Sequence, residues 1–105
     1  MSEFITELKD NNFKETIKNK SIVVVDFWAA WCGPCQMFAS TFENFAKENK
    51  DVFCVKVNVD EAPKTAQENE VMSIPTIMFI KNGVVVKKMV GAISKDIIKQ
   101  TISQL

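Results

Sequence analysis

Residues 22–28 read IVVVDFW, seven positions with no alternation between apolar and polar side chains. A strand with one wet face alternates, whereas a strand covered on both faces does not. The run therefore predicts a central strand sandwiched between helices, and with it an α/β architecture. A chain of 105 residues is read as one domain, 1–105, and a domain of this length buries roughly 65% of its unfolded surface without a cross-link or metal.

The segments around this strand extend the pattern. Phe4 and Ile5 start a short first strand, and Asn11 or Asn12 caps a helix that places Phe13 and Ile17 at i, i+4. From Pro34 to about Lys47, Cys35, Phe38, Phe42 and Phe45 recur at helical spacing, with Gly33 and Pro34 in the first turn, where a missing proline N–H costs nothing. In VFCVKVNV, residues 52–59, Phe53, Val55, Val57 and Val59 share one face while Cys54, Lys56 and Asn58 share the other. Two strands joined through a helix of this length are expected to run parallel, as a right-handed βαβ unit. Pro63 opens a short helix to about Asn69; TIMFI (76–80) and VVVKKMV (84–90) flank Lys81-Asn82-Gly83 as an antiparallel hairpin. Ser94 caps a last helix whose stripe is Ile98, Ile102 and Leu105. The expected order is β-α-β-α-β-α-β-β-α: a mixed five-stranded sheet, parallel at its centre and antiparallel at an edge hairpin, with four helices on both faces.

Thirteen lysines balance thirteen Asp and Glu residues, with no Arg, no His and no block of like charge, so no nucleic-acid or acidic-lipid surface is expected. The N-terminus lacks a basic n-region and an apolar h-region, and no stretch reaches the ~18 apolar residues of a membrane span. Three cysteines are too few and of the wrong parity for a secreted disulfide framework. These features lead us to expect a soluble, cytoplasmic chain in a reducing compartment.

Against that background Trp31-Cys32-Gly33-Pro34-Cys35 stands out, at the end of the central strand and the start of a helix, where open α/β sheets place their sites. A zinc site wants four ligands, and this chain offers three cysteines, no histidine and no second Cys-X-X-Cys. As a structural staple the pair closes too small a loop to remove much chain entropy. A working redox couple remains. Cys32, at the helix mouth, meets unpaired N–H groups and the positive end of the helix dipole, which favour a thiolate, and its loop position predicts exposure. Cys35 falls on the inward stripe with Phe38 and Phe42 and suits the resolving step, in which it displaces the mixed disulfide formed by Cys32.

Asp26 interrupts the apolar run six residues before Cys32. One reading is a buried carboxyl that titrates above its ordinary value and takes a proton from Cys35 through water; the other is a solvated strand-end residue. Lys56 on the neighbouring strand either pairs with it or is simply exposed. Ile74-Pro75 at a strand entry reads as an ordinary trans bond. Cys54 reads as a small core residue, Met37, Met72 and Met89 as packing, Trp28 as core, and Trp31 as a contact residue.

Taken together, Asp26-Phe27-Trp28-Ala29, Trp31-Cys32-Gly33-Pro34-Cys35, Lys56-Val57-Asn58-Val59-Asp60, Ile74-Pro75-Thr76, Asn82-Gly83 and Val90-Gly91-Ala92 resemble the thioredoxin family over the whole chain. The resemblance implies a thioredoxin fold and reduction of protein disulfides, with no bound cofactor and with electrons from NADPH through a thioredoxin reductase. The expected partners are that reductase and disulfide-containing proteins, and the expected state is a monomer. It further implies that Pro75 is cis against the Cys pair, and that Asp26 is a buried proton-transfer residue with Lys56 nearby. Trp31, Gly33, Pro34, Ile74, Pro75, Thr76, Gly91 and Ala92 are implied as the surface that receives substrate chains. In Cys-X-X-Cys sites the reactive thiol falls to a pKa of ~3.5–7.5, a range that thioredoxins themselves helped define. Gly-Pro between the cysteines resembles reducing members rather than oxidases or isomerases. Gln36 stands where many relatives carry Lys or Arg, and Ser40 where a helix proline is common, which predicts a weaker kink. A competing class is a binding module that uses the same apolar surface without its thiols.

Overall fold

The structure is a computed structural model that describes residues 2–105. Its strands are β1 (Ile5–Glu7), β2 (Ile22–Trp28), β3 (Phe53–Asn58), β4 (Thr76–Lys81) and β5 (Val84–Val90), laid side by side in the order β1-β3-β2-β4-β5. Helices α1 (Phe13–Ile17), α2 (Gly33–Glu48), α3 (Pro63–Glu68) and α4 (Lys95–Ser103) alternate with them. The unbroken apolar run thus becomes the middle strand. β1, β3 and β2 are parallel, β4 is antiparallel to β2, and β5 is antiparallel to β4. The change of direction falls at β2 itself, since the hairpin docks directly on it.

Side-chain parity on β2 separates two cores. Val23, Val25 and Phe27 join Val55, Val57, Met78 and Ile80 beneath Phe13 and Ile17 of α1. Val24 faces the other way, with Cys54, Ile77 and Phe79, beneath Phe38, Phe42 and Phe45 of α2 and Ile98 of α4. The Phe38 and Phe42 rings stack with centroids 5.6 Å apart, within the range where aromatic pairs add to plain burial. Asp26, two positions from Val24, belongs to this second face. α2 runs without interruption through Ser40, and no helix among the described residues is long and apolar enough to cross a membrane.

One helix start differs from the sequence expectation. Asn12 precedes α1 but makes no capping bond; its side-chain oxygen accepts the Lys9 N–H at 2.8 Å and closes the preceding turn instead. The loop after β1 supplies a cap elsewhere. Asp10 accepts hydrogen bonds from the Lys64 N–H at 3.3 Å, the Thr65 N–H at 2.7 Å and the Thr65 hydroxyl at 2.7 Å, satisfying the start of α3, which has no cap of its own.

Asp10→Ala is expected to speed hydrogen exchange at the Lys64 and Thr65 amides selectively, with Asp10→Asn retaining part of the protection. Phe42→Ala is expected to cost about 3–5 kcal/mol, measured by urea unfolding, because its fully buried ring leaves a cavity between sheet and α2.

Candidate active site

β2 ends at Trp28, and three residues later the chain enters α2 with Cys32 as the cap residue, in extended backbone at φ −94°, ψ 112°. The Cys32 N–H donates to the Ala29 carbonyl at 3.2 Å, and the Gln36 N–H to the Cys32 carbonyl at 3.2 Å, so the turn and the first helical bond share one residue. Gln36 also ties this loop down, its side-chain amide donating to the Ala30 carbonyl at 2.8 Å. Cys32 and Cys35 are joined as a disulfide, with Cα atoms 5.2 Å apart. The Cys35 N–H donates to Cys32 Sγ at 3.2 Å. An N–H in the first turn is an orphan donor, so here the helix end turns its positive potential on one sulfur of the pair.

The two sulfurs differ far less in exposure. Cys32 is 5% exposed and Cys35 3%, against the expectation of an open Cys32. In the disulfide form Trp28, Ala29, Val59 and Ile74 pack around the pair, and the Ile74 carbonyl oxygen lies 3.8 Å from Cys32 Sγ. Because β4 runs antiparallel to β2, its first residue, Thr76, pairs with Phe27 near the end of β2, which brings Ile74 and Pro75 to the disulfide. The Ile74–Pro75 bond is cis, where sequence physics alone read trans. The Gly91 N–H donates to the Pro75 carbonyl at 2.8 Å, and Gly91 has φ 108°, a conformation that side chains rarely adopt. Gly33, Pro34 and Ala92 are exposed. Pro75 and Thr76 are not: both are buried, and the Thr76 hydroxyl donates to the Ser73 carbonyl, so it offers no side chain at the surface. Trp31 is 71% exposed, yet its indole N–H donates to Asp60 Oδ2 at 2.8 Å.

The thioredoxin family model matches residues 4–104. The chain belongs to the thioredoxin family. It is 47% identical to a thioredoxin of Alicyclobacillus acidocaldarius over 90 residues, covering 85% of this chain and 86% of that one. It is 42% identical to thioredoxin 2 of Chlorobaculum tepidum over 106 residues, covering 99% and 97%. Among solved structures, oxidised mitochondrial thioredoxin 3 of Saccharomyces cerevisiae superposes with a TM-score of 0.87 at 36% identity, covering 96% and 95% of the two chains. With the Cys32–Cys35 pair in place, this member of the family is a protein thiol-disulfide oxidoreductase, and a thiol-independent binding module is not favoured.

Asp26 is 1% exposed, and neither carboxyl oxygen has a hydrogen-bond partner. Burial pushes it up to about 7; the charge of Lys56 opposes the rise and that of Glu7 adds to it. Lys56 is in register with Asp26, but no direct ion pair forms between them among the described residues, because Lys56 Nζ stands over the Trp28 ring, 4.8 Å from its centroid. Cys54 lies in the second core, its thiol pushed up to about 12 by burial.

Sequence reasoning missed several residues at this end of the molecule. Met37 and Met72, read as packing, are 72% and 92% exposed, whereas Met89 does pack on the second core. Met72 follows the end of α3 and, with Trp31, Val59, Ala66, Val71 and Ile74, lines a shallow cavity of about 150 Å³. Apolar character alone cannot tell a packed methionine from a surface one. Asp60 went unassigned because its role, holding the Trp31 ring, is a contact 29 residues distant in sequence.

Between the ordinary carboxylate value and about 7, folded Asp26 keeps a proton that the unfolded chain gives up, so stability falls as pH rises through that window. Asp26→Ala removes this slope. In urea unfolding of the oxidised protein, the variant is expected to gain on the order of 4 kcal/mol over the parent between pH ~4 and pH ~9.

Proposed function

We propose that the chain acts as a reductant of protein disulfides, with Cys32 as nucleophile and Cys35 as resolving thiol. The observation that carries this reading is the Cys35 N–H aimed at Cys32 Sγ, which stabilises negative charge on that sulfur alone. In the first step the Cys32 thiolate attacks one sulfur of a substrate disulfide, forming a mixed disulfide and releasing a substrate thiolate. Asp26 takes the proton of Cys35. The resulting thiolate attacks Cys32 Sγ, closes the enzyme disulfide and releases the second substrate sulfur, so two electrons have passed to the product. Holding the second thiol one helical turn away gives it a high effective concentration.

An acceptor near neutrality suits this step, and burial brings the Asp26 carboxyl to about 7 with Lys56 close enough to stabilise the ionised form. The receiving surface is Trp31, Gly33, Pro34, Ile74, Gly91 and Ala92, with the buried Pro75 and Thr76 supporting it from beneath. Each turnover consumes a dithiol, so a reductant must restore it; NADPH acting through a thioredoxin reductase fits that need and the family. A monomeric domain in a reducing, cytoplasmic compartment, acting neither on nucleic acid nor at a membrane, fits the cysteine usage and balanced charge.

With dithiothreitol as electron source, the protein is expected to reduce insulin disulfides, and Cys32→Ser to abolish this; unchanged activity in that variant overturns the scheme. Cys35→Ser is expected to attack and then stall, leaving adducts at Cys32 visible by mass spectrometry. Coupled to NADPH and a purified thioredoxin reductase, the parent protein is expected to support NADPH oxidation that depends on added disulfide substrate.

A further inference from the structure

Three ionisable side chains form a row across the sheet on the face covered by α2, and only two of them enter the scheme above. Glu7 on β1 is in register with Lys56 on β3, and Lys56 with Asp26 on β2. Partners in register on adjacent strands present their side chains to the same face, so Lys56 stands between two carboxyl groups. The inner one, Asp26, is buried and has no hydrogen bond; the outer one, Glu7, is exposed on the edge strand. A cleft of about 440 Å³, lined among others by Glu7, Trp28, Glu43 and Lys56, opens the outer two members of the row to solvent. Lys56 makes no ion pair with either carboxylate among the described residues, so its charge is divided between them.

We propose that Glu7 is a positioning residue for the disulfide exchange: drawing on the Lys56 charge from the solvent side, it governs how readily Asp26 holds the proton released by Cys35. This rests on Asp26 being the proton acceptor. An ionised Glu7 repels a second negative charge and shares the ammonium, and both effects favour the protonated Asp26. A neutral Glu7 leaves the ammonium to Asp26 alone and favours its carboxylate. The directions agree: Lys56 lowers the Asp26 carboxyl and Glu7 raises it, while Glu7 itself is held above its ordinary value by partial desolvation of its carboxyl, with Lys56 pulling it back.

The other groups around the row are few. From α2, Cys35 faces inward and Glu43 lines the cleft, its carboxylate accepting the Ser2 hydroxyl at 2.8 Å; from β4, Asp26 meets only the apolar Ile77. Glu61 and Lys9 act on Glu7 with opposite signs. None of these offers Asp26 a second cation.

The test pairs a spectroscopic titration of the Asp26 carboxyl in the oxidised protein with the pH profile of mixed-disulfide resolution, using a chromogenic aryl disulfide as probe. Glu7→Gln is expected to move the Asp26 midpoint and the rising limb of the rate profile to lower pH. Lys56→Gln is expected to move both to higher pH and by more, Glu7→Asp to stay near the parent, and Glu43→Gln to leave both in place. An unmoved Asp26 midpoint in Glu7→Gln, or a shift in the same direction as Lys56→Gln, overturns the proposal. An unchanged rate profile in Asp26→Asn overturns the acceptor role beneath it. A Glu7 effect on the profile that persists in the Asp26→Asn background overturns the route through Asp26.

Discussion

Because β2 is covered on both faces, its carboxyl end leaves the sheet only at the rim, and α2 begins there. Strand end, turn and helix mouth therefore fall within a few residues, and the Cys32 sulfur receives the Cys35 N–H. The same covering places Asp26 under α2, where water does not stabilise its charge. One packing constraint thus delivers both a stabilised sulfur and a carboxyl that titrates near neutrality, from residues six positions apart. The antiparallel docking of β4 completes the arrangement by returning the Ile74–Pro75 segment to the end of β2.

The asymmetry of the two cysteines is electrostatic. In the disulfide both sulfurs are almost wholly covered, by residues from three loops rather than by one lid. On the proposed reading, access comes from the substrate chain displacing solvent along the exposed rim. In the proposed scheme charge placement decides which sulfur reacts first, and it is fixed by backbone geometry, which no single side-chain replacement at the rim would erase.

Much of this was legible from local pattern. The unbroken 22–28 run gave the central strand, the Phe38, Phe42 and Phe45 spacing gave the buried side of α2, and Asn82-Gly83 gave the hairpin, since each depends on periodicity or turn chemistry over a few residues. Strand order, the cis bond at Pro75 and the burial of Cys32 depend on contacts between distant segments, and local pattern is silent on these. Asp26 shows the boundary well. Its interruption of an apolar run raised two readings, and only the packing of α2 over this end of β2 decides for the buried one. Met37 and Met72 fell on the wrong side of the same boundary, and Glu7 carried no signal at all, because its meaning comes from a strand 49 residues away in sequence.

The bond between Trp31 and Asp60 has a consequence for partner range. A solvent-facing indole ordinarily samples several rotamers and loses that freedom at each encounter, at roughly 0.5–1.5 kcal/mol per immobilised side chain. Here the loss is incurred once, during folding, through a surface carboxylate. Incoming chains then meet a stationary aromatic plane beside the sulfur, and a stationary plane discriminates little between sequences. Stiffness of this kind favours breadth over selectivity at the proposed substrate surface.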